Sequence, residues 1–268
     1  MTVAFLGISA TALYLITTLI LARRLFRKGA GGGRLLVIVL AGVAIALHAA
    51  ALQHALFTPS GLNLGFFNAF SLFSLLIAAL LVLAIISYPV ESLGVAILPT
   101  AAFSALLGAL FQDDHIVQGG TVPGLEVHIF TSVLAYGMLS IAAVQAILLF
   151  ILDRRLRHKQ PGGFVQALPP LQTMETLLFQ MIALGFSLQS LSLISGAIFI
   201  EDMFAQHLVH KTVLSILAWL LFAILLYGRW KFGWRGRTAM RWTLSAFITL
   251  LVAYFGSKLV LEVVIGAQ

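Results

Sequence analysis

Apolar positions fall along this chain in long blocks, not in the narrow stripes of a soluble amphipathic helix. From Leu35 to Val90 there are 56 residues without one Asp, Glu, Lys or Arg. A helix that spans a bilayer needs about 20 apolar residues, so this block holds two spans. Thr58-Pro59-Ser60-Gly61 divides it, and Ser87-Tyr88-Pro89 ends the second. Read in the same way, the whole chain predicts eight helices, at about 3–22, 35–57, 66–87, 92–111, 126–152, 174–200, 211–229 and 241–264. These eight units use nearly all of the 268 residues, so 1–268 reads as a single transmembrane domain. The first 22 residues are uncharged and the basic cluster follows them, so this run reads as a retained helix and not a signal peptide.

Composition supports a lipid solvent. Only 9% of residues are charged and 61% are hydrophobic, whereas a soluble domain carries roughly 25% charged residues. The absence of cysteine removes disulfides and thiolate metal sites. The net charge of +7 does not indicate nucleic acid, because the basic residues sit in short loops.

Those loops predict an orientation. Arg23, Arg24, Arg27, Lys28 and Arg34 follow the first span, Arg154, Arg155, Arg157 and Lys159 the fifth, and Arg229, Lys231, Arg235, Arg237 and Arg241 the seventh. Fourteen of the sixteen Lys and Arg residues thus lie in loops on one side of an eight-helix bundle. The positive-inside rule makes that side cytoplasmic and places both termini outside. Asp113, Asp114, Glu126, Glu201 and Asp202 fall in the opposite loops.

With this orientation the histidines gain a position. His48, His54, His128, His207 and His210 gather in the outer third of the bundle, and His115 lies in an outer loop. His158 is an ordinary member of a basic loop. An imidazole in hydrocarbon needs a partner, and neutral imidazole is a good axial ligand for haem iron. Interfacial histidines that simply meet water are the alternative. His48 is the most deeply placed, and His54 lies about 240° round the helix from it, so the two cannot share one ligand from one face.

Other polar groups offer less. Asp113, Asp114 and His115 form a small acidic cluster, too few ligands for a closed metal site. Gln180, Ser187, Gln189, Ser190, Ser192 and Ser195 make the sixth span polar. Ser192 and Gly196 fit small-xxx-small helix packing. Asn68, Ser71 and Ser74 share a stripe on the third span, which suggests a shared partner. Glu175 suits the start of the sixth helix, and Lys258 and Glu262 form an i,i+4 pair. The Gly29–Gly33 tract reads as a flexible turn. No nucleophile elbow, phosphate loop or HExxH motif occurs.

The segment His128-Ile129-Phe130-Thr131-Ser132-Val133-Leu134-Ala135-Tyr136 resembles the His-x3-Ser-x3-Tyr opening of a helix in the cytochrome c assembly family of CcsA- and CcmC-type haem-handling proteins. Lys211–Trp219, Leu221–Ile224 with Gly233–Gly236, and Ala253–Gly256 resemble its later helices. The likeness spans roughly residues 66–262 and is nearest the HemX/YpjD-like branch, where Leu47-His48-Ala49 also fits. It implies a bundle that presents non-covalent b-type haem at the outer face, with His128 in the position of the family's first external haem-ligand histidine.

The chain departs from the family pattern too. Glu201–His210 contains no Trp where the family has a tryptophan-rich WWD segment. Tyr227 stands where an intramembrane ligand histidine is expected, and no histidine follows Gly256. The resemblance therefore implies haem handling without cytochrome c synthase activity, and no enzyme. His48, His128, His210 and His54 are the candidate haem residues, with His128 and either His48 or His210 as axial ligands. Partners would be haem, the lipid bilayer and other haem-maturation or haem-synthesis proteins. The expected location is a bacterial inner membrane. Two other readings stand beside this one: regulation of haem biosynthesis through a protein partner, and transport of a cation or small solute through polar positions on the third and sixth spans.

Overall fold

The protein is described by a computed structural model covering residues 2–26, 33–58, 61–63, 65–111, 116–117, 125–159, 168–199 and 209–256. Among these residues are eight long helices: α1 (Thr2–Phe26), α2 (Arg34–Leu56), α3 (Phe66–Ser87), α4 (Gly94–Leu110), α5 (Leu125–Arg157), α6 (Leu171–Phe199), α7 (Val209–Phe232) and α8 (Gly236–Leu251). A 3-10 turn at Glu91–Leu93 leads into α4, and a π-helical turn at Val252–Gly256 extends α8. All eight segments are long and apolar enough to cross a membrane. The chain is an all-α, polytopic helix bundle, as its hydropathy pattern predicts.

The boundaries differ where charge replaces hydrophobicity. α1 carries Arg23 and Arg24 in its last turn, α5 carries Arg154, Arg155 and Arg157, and α7 carries Arg229 and Lys231. Arg and Lys are good helix formers and suit the negative end of the helix dipole. The helices therefore outlast the apolar runs. α8 begins at Gly236, five residues before its predicted start, while the far part of the predicted 241–264 helix, with Lys258 and Glu262, lies outside the described residues. Tyr88, just before Pro89, is extended (φ −128°, ψ 150°), the conformation a following proline favours. A feature not predicted is a small antiparallel patch of β1 (Phe57–Thr58), β2 (Gly61–Asn63) and β3 (Ile116–Val117).

The helices pack in two compact units, α1–α4 and α5–α8. In the first, α1 packs on α2 and α4, and α3 packs on the same two helices. Tyr14, Leu21, Leu81, Leu93 and Leu98 are fully buried there. Glu91 pairs with Arg24 and Arg34 at 3.6 and 3.4 Å, closing one end of the unit. In the second, α5 packs on α6 and α8, and α7 packs on α6 and α8. Leu139, Leu149, Leu178 and Phe222 form its core.

Close approach in lipid needs small residues, because helix association there rests on van der Waals contact. A Cβ on Gly185 of α6 would lie 2.6 Å from the Leu139 side chain of α5. At the α7–α8 connection, Gly233 and Gly236 adopt positive φ (65° and 58°), and Trp234 folds back onto Gly228. The Glu175 carboxylate of α6 accepts the Gly236 N–H at 2.5 Å and so caps α8. The sequence assigned Glu175 to the start of its own helix. In fact α6 begins four residues earlier, at Leu171, and the carboxylate serves another helix end.

Candidate functional site

The described histidines differ most in how their ring nitrogens are engaged. His48, on the buried face of α2, is 1% exposed. Its Nε2 lies 2.7 Å from the Ser71 hydroxyl of α3, and its Nδ1 lies 3.4 Å from the Tyr14 hydroxyl of α1. The Tyr14 ring stands edge-on to the imidazole. Three helices thus meet at this ring and both nitrogens have partners. The cavity beside it, lined in part by Asn68, Ser71, Ala105 and Gly108, holds about 10 Å³, room for roughly one water.

The polar stripe on α3 is real but its members have separate partners. Ser71 meets His48, Ser74 meets the Ser104 hydroxyl of α4, and Asn68 donates to the Asn63 carbonyl at 3.2 Å. Tyr14 and Ser104 were not singled out from sequence. Tyrosine favours the membrane interface, so a tyrosine in the middle of an apolar span was the available signal for the first.

His128 is half-buried in the first turn of α5. Its Nδ1 lies 2.8 Å from the Ser192 carbonyl oxygen of α6. A carbonyl only accepts, so Nδ1 is the donor; in the neutral ring Nε2 then carries the lone pair. Nε2 has no hydrogen-bond partner among the described residues. Around the ring, the Ser132 hydroxyl donates to the His128 carbonyl at 2.5 Å and meets the Ser192 hydroxyl at 2.6 Å. The Ser195 hydroxyl donates to the Ser192 carbonyl at 3.0 Å and lies 3.5 Å from Nδ1. A neutral imidazole whose Nδ1–H is held by a carbonyl is the form that metal-ligating histidines commonly take.

Two turns along the same face of α5, the Tyr136 hydroxyl donates to the Leu250 carbonyl of α8. The Tyr136 ring stacks edge-on against Tyr254 and Phe255, within the π-helical turn. His128, Ser132 and Tyr136 therefore recur at every fourth residue and fasten α5 first to α6 and then to α8.

His54 and His210 are exposed, in the last turn of α2 and the first turn of α7. His48 and His54 belong to the first packing unit, His128 and His210 to the second. His115, His207, Asp113 and Asp114 lie outside the described residues. Among the described residues no three His, Cys, Asp or Glu side chains gather as a metal site. Two further polar groups of α6 join helices: Ser190 accepts the Trp219 indole N–H at 2.8 Å and Gln189 donates to the Ser215 carbonyl at 3.2 Å. Ser187 bonds back to the Ala183 carbonyl of its own helix, and Gln180 is exposed.

Residues 36–265 match the family described as "Cytochrome C assembly protein". The chain belongs to this family. It is 32% identical over 261 residues to "Inner membrane protein YpjD" of Escherichia coli (strain K12), covering 95% of this chain and 97% of that protein. It is 23% identical over 217 residues to "Protein HemX" of Brevibacillus brevis, covering 77% of this chain and 80% of that protein. A shorter likeness, 27% over 111 residues, joins it to "Cytochrome c biogenesis protein CcsA" of Gloeothece citriformis (strain PCC 7424), covering 41% and 34%. These relatives agree with the HemX/YpjD-like branch of the family that the helix motifs resemble. No solved structure matches the chain significantly.

Proposed function

We propose that this family member is a haem-handling protein of the bacterial inner membrane that holds or relays haem at the outer face, with His128 as a residue that would hold the iron. The observation that carries the reading is the state of the His128 ring. Its Nδ1 is held by the Ser192 carbonyl at 2.8 Å and its Nε2 is without a partner among the described residues. The positive-inside rule, applied to the basic loops, supports an orientation with the His128 end of α5 outside. The name of the YpjD relative supports the inner membrane as the location.

The residues present fit haem at His128 and do not fit it at His48. Both nitrogens of His48 have partners. The adjoining cavity of about 10 Å³ is far below the roughly 300–1,000 Å³ of ligand pockets. His128 would hold the iron through Nε2, while Ser192 holds the opposite side of the ring. His210, exposed in the same packing unit, is the second candidate ligand. When bound, haem supplies a redox-active metal and two carboxylates. The protein supplies binding and orientation, without making bonds itself. In support, Ser71 and Ser74 of α3 and Gln189, Ser190 and Ser192 of α6 are engaged with neighbouring helices, which leaves less for a transport path.

The test is optical. The protein is purified in mild detergent, haem is added, and the Soret band is recorded for wild type, His128→Ala and His48→Ala. A shift that is present in wild type and His48→Ala and lost in His128→Ala is the expected result. No shift in wild type, or an unchanged one in His128→Ala, overturns the reading.

A further inference from the structure

We propose that Ser132, Ser192 and Ser195 are positioning residues that clamp His128 in its Nδ1-protonated form and direct the Nε2 lone pair away from α6. This inference rests on the haem-handling reading for its purpose, though not for its geometry.

The hydrogen-bond directions form one consistent chain. The Ser132 hydroxyl donates to the carbonyl of His128, one turn back in its own helix. Its oxygen is then free to accept the Ser192 hydroxyl across the α5–α6 seam, at 2.6 Å. The Ser192 carbonyl in turn receives the His128 Nδ1–H at 2.8 Å and the Ser195 hydroxyl at 3.0 Å. The other tautomer would set the Nδ1 lone pair against the carbonyl oxygen at that distance, a repulsive contact. Ser195, 3.5 Å from Nδ1, lies on the same edge of the ring. All hydrogen-bonding contact with α6 therefore falls on the Nδ1 side.

The histidine is what distinguishes this link from ordinary packing. Elsewhere in the bundle the hydroxyls of Thr17, Thr18, Ser140 and Thr243 bond back to the carbonyl four residues earlier in their own helix, the common habit of Ser and Thr in helices. Ser132 does this and also reaches across to Ser192, as Thr11 reaches the Ala102 carbonyl and Ser74 reaches Ser104. Among the described residues, only here does the accepting turn also hold a histidine ring through its carbonyl. The cross-helix link lies one turn from the histidine, where a shift of α6 would move the Ser192 carbonyl off the ring. Outer partners of a ligating histidine fix its tautomer and orientation, and their loss typically costs 10–100-fold in metal affinity.

The experiment begins without haem. Full-length protein labelled with 15N-histidine is measured by NMR in detergent, and the His128 signals are assigned by their loss in His128→Ala. Wild type should show one protonated Nδ1 and one unprotonated Nε2. The double variant Ser132→Ala/Ser192→Ala, and separately Ser195→Ala, should show a mixture of tautomers. Haem affinity should fall about 10–100-fold in the double variant, and Ser132→Thr/Ser192→Thr, which keeps both hydroxyls, should restore it. Unchanged His48 signals and an unchanged elution profile establish that the variants fold. A single Nδ1-protonated form in every serine variant, with wild-type haem affinity, overturns the clamp. If instead His128→Ala binds haem as tightly as wild type, the haem reading fails, while the tautomer data still decide the clamp.

Discussion

The Nδ1 of His128 lies 2.8 Å from the carbonyl oxygen of Ser192, 64 residues further along the chain. This contact joins the first turn of α5 to the last third of α6 and leaves one side of the imidazole uncommitted. His48 is the opposite case, a deeper histidine with a partner at each ring nitrogen. The two residues look alike in sequence, and their surroundings give them different capacities.

His48 is expected to act in stability. Its replacement by alanine strips the Ser71 and Tyr14 hydroxyls of a buried partner, at about 1–3 kcal/mol. It also opens a cavity next to one that already exists. Thermal unfolding in detergent should show a clear loss, while the Soret band with haem stays as in wild type. A His48→Ala protein of full stability would contradict this role.

Gly185 is expected to tolerate no side chain. Its Cβ would meet Leu139 at 2.6 Å, and forced packing of this kind costs about 1–3 kcal/mol. Gly42 of α2, where an added Cβ meets nothing within 4 Å, is the control. Gly185→Ala should lower the unfolding temperature in detergent, and Gly42→Ala should leave it unchanged or slightly raised. Equal effects at the two glycines would refute the close approach of α5 and α6.

Glu175 is expected to secure the α7–α8 connection. Its bond to the Gly236 N–H is charge-assisted, a type worth about 1.5–3 kcal/mol. Glu175→Gln keeps an acceptor and should lose less stability than Glu175→Ala. Limited proteolysis at residues 232–236 should quicken in the same order. If the two variants are cut at the wild-type rate, the capping role is wrong.

Tyr136 is expected to hold the π-helical end of α8. Tyr136→Phe keeps the ring against Tyr254 and Phe255 and removes the hydroxyl that reaches the Leu250 carbonyl. A loss of about 0.5–1.5 kcal/mol follows for an ordinary hydrogen bond. Faster amide exchange confined to residues 250–256 is the sign to look for. Exchange that rises equally along α5 would instead indicate a general loosening.

The eight spans were legible because partition into lipid is nearly local. Each apolar residue of a block such as Leu35–Val90 adds its own transfer free energy, whatever its neighbours in space. Helix ends were less legible. Arg23, Arg24 and Arg154–Arg157 leave the hydrocarbon but continue the helix, since hydration and helix formation are separate conditions. The family resemblance carried by His128, Ser132 and Tyr136 was also visible, for it depends only on a spacing of four. What only the tertiary structure decided were the pairings: His48 with Ser71 and Tyr14, Glu175 with Gly236, His128 with Ser192. Each joins residues from 23 to 64 positions apart. A hydrogen bond needs its partner within about 3 Å, and no local rule of hydropathy or periodicity says which helix will bring that partner there.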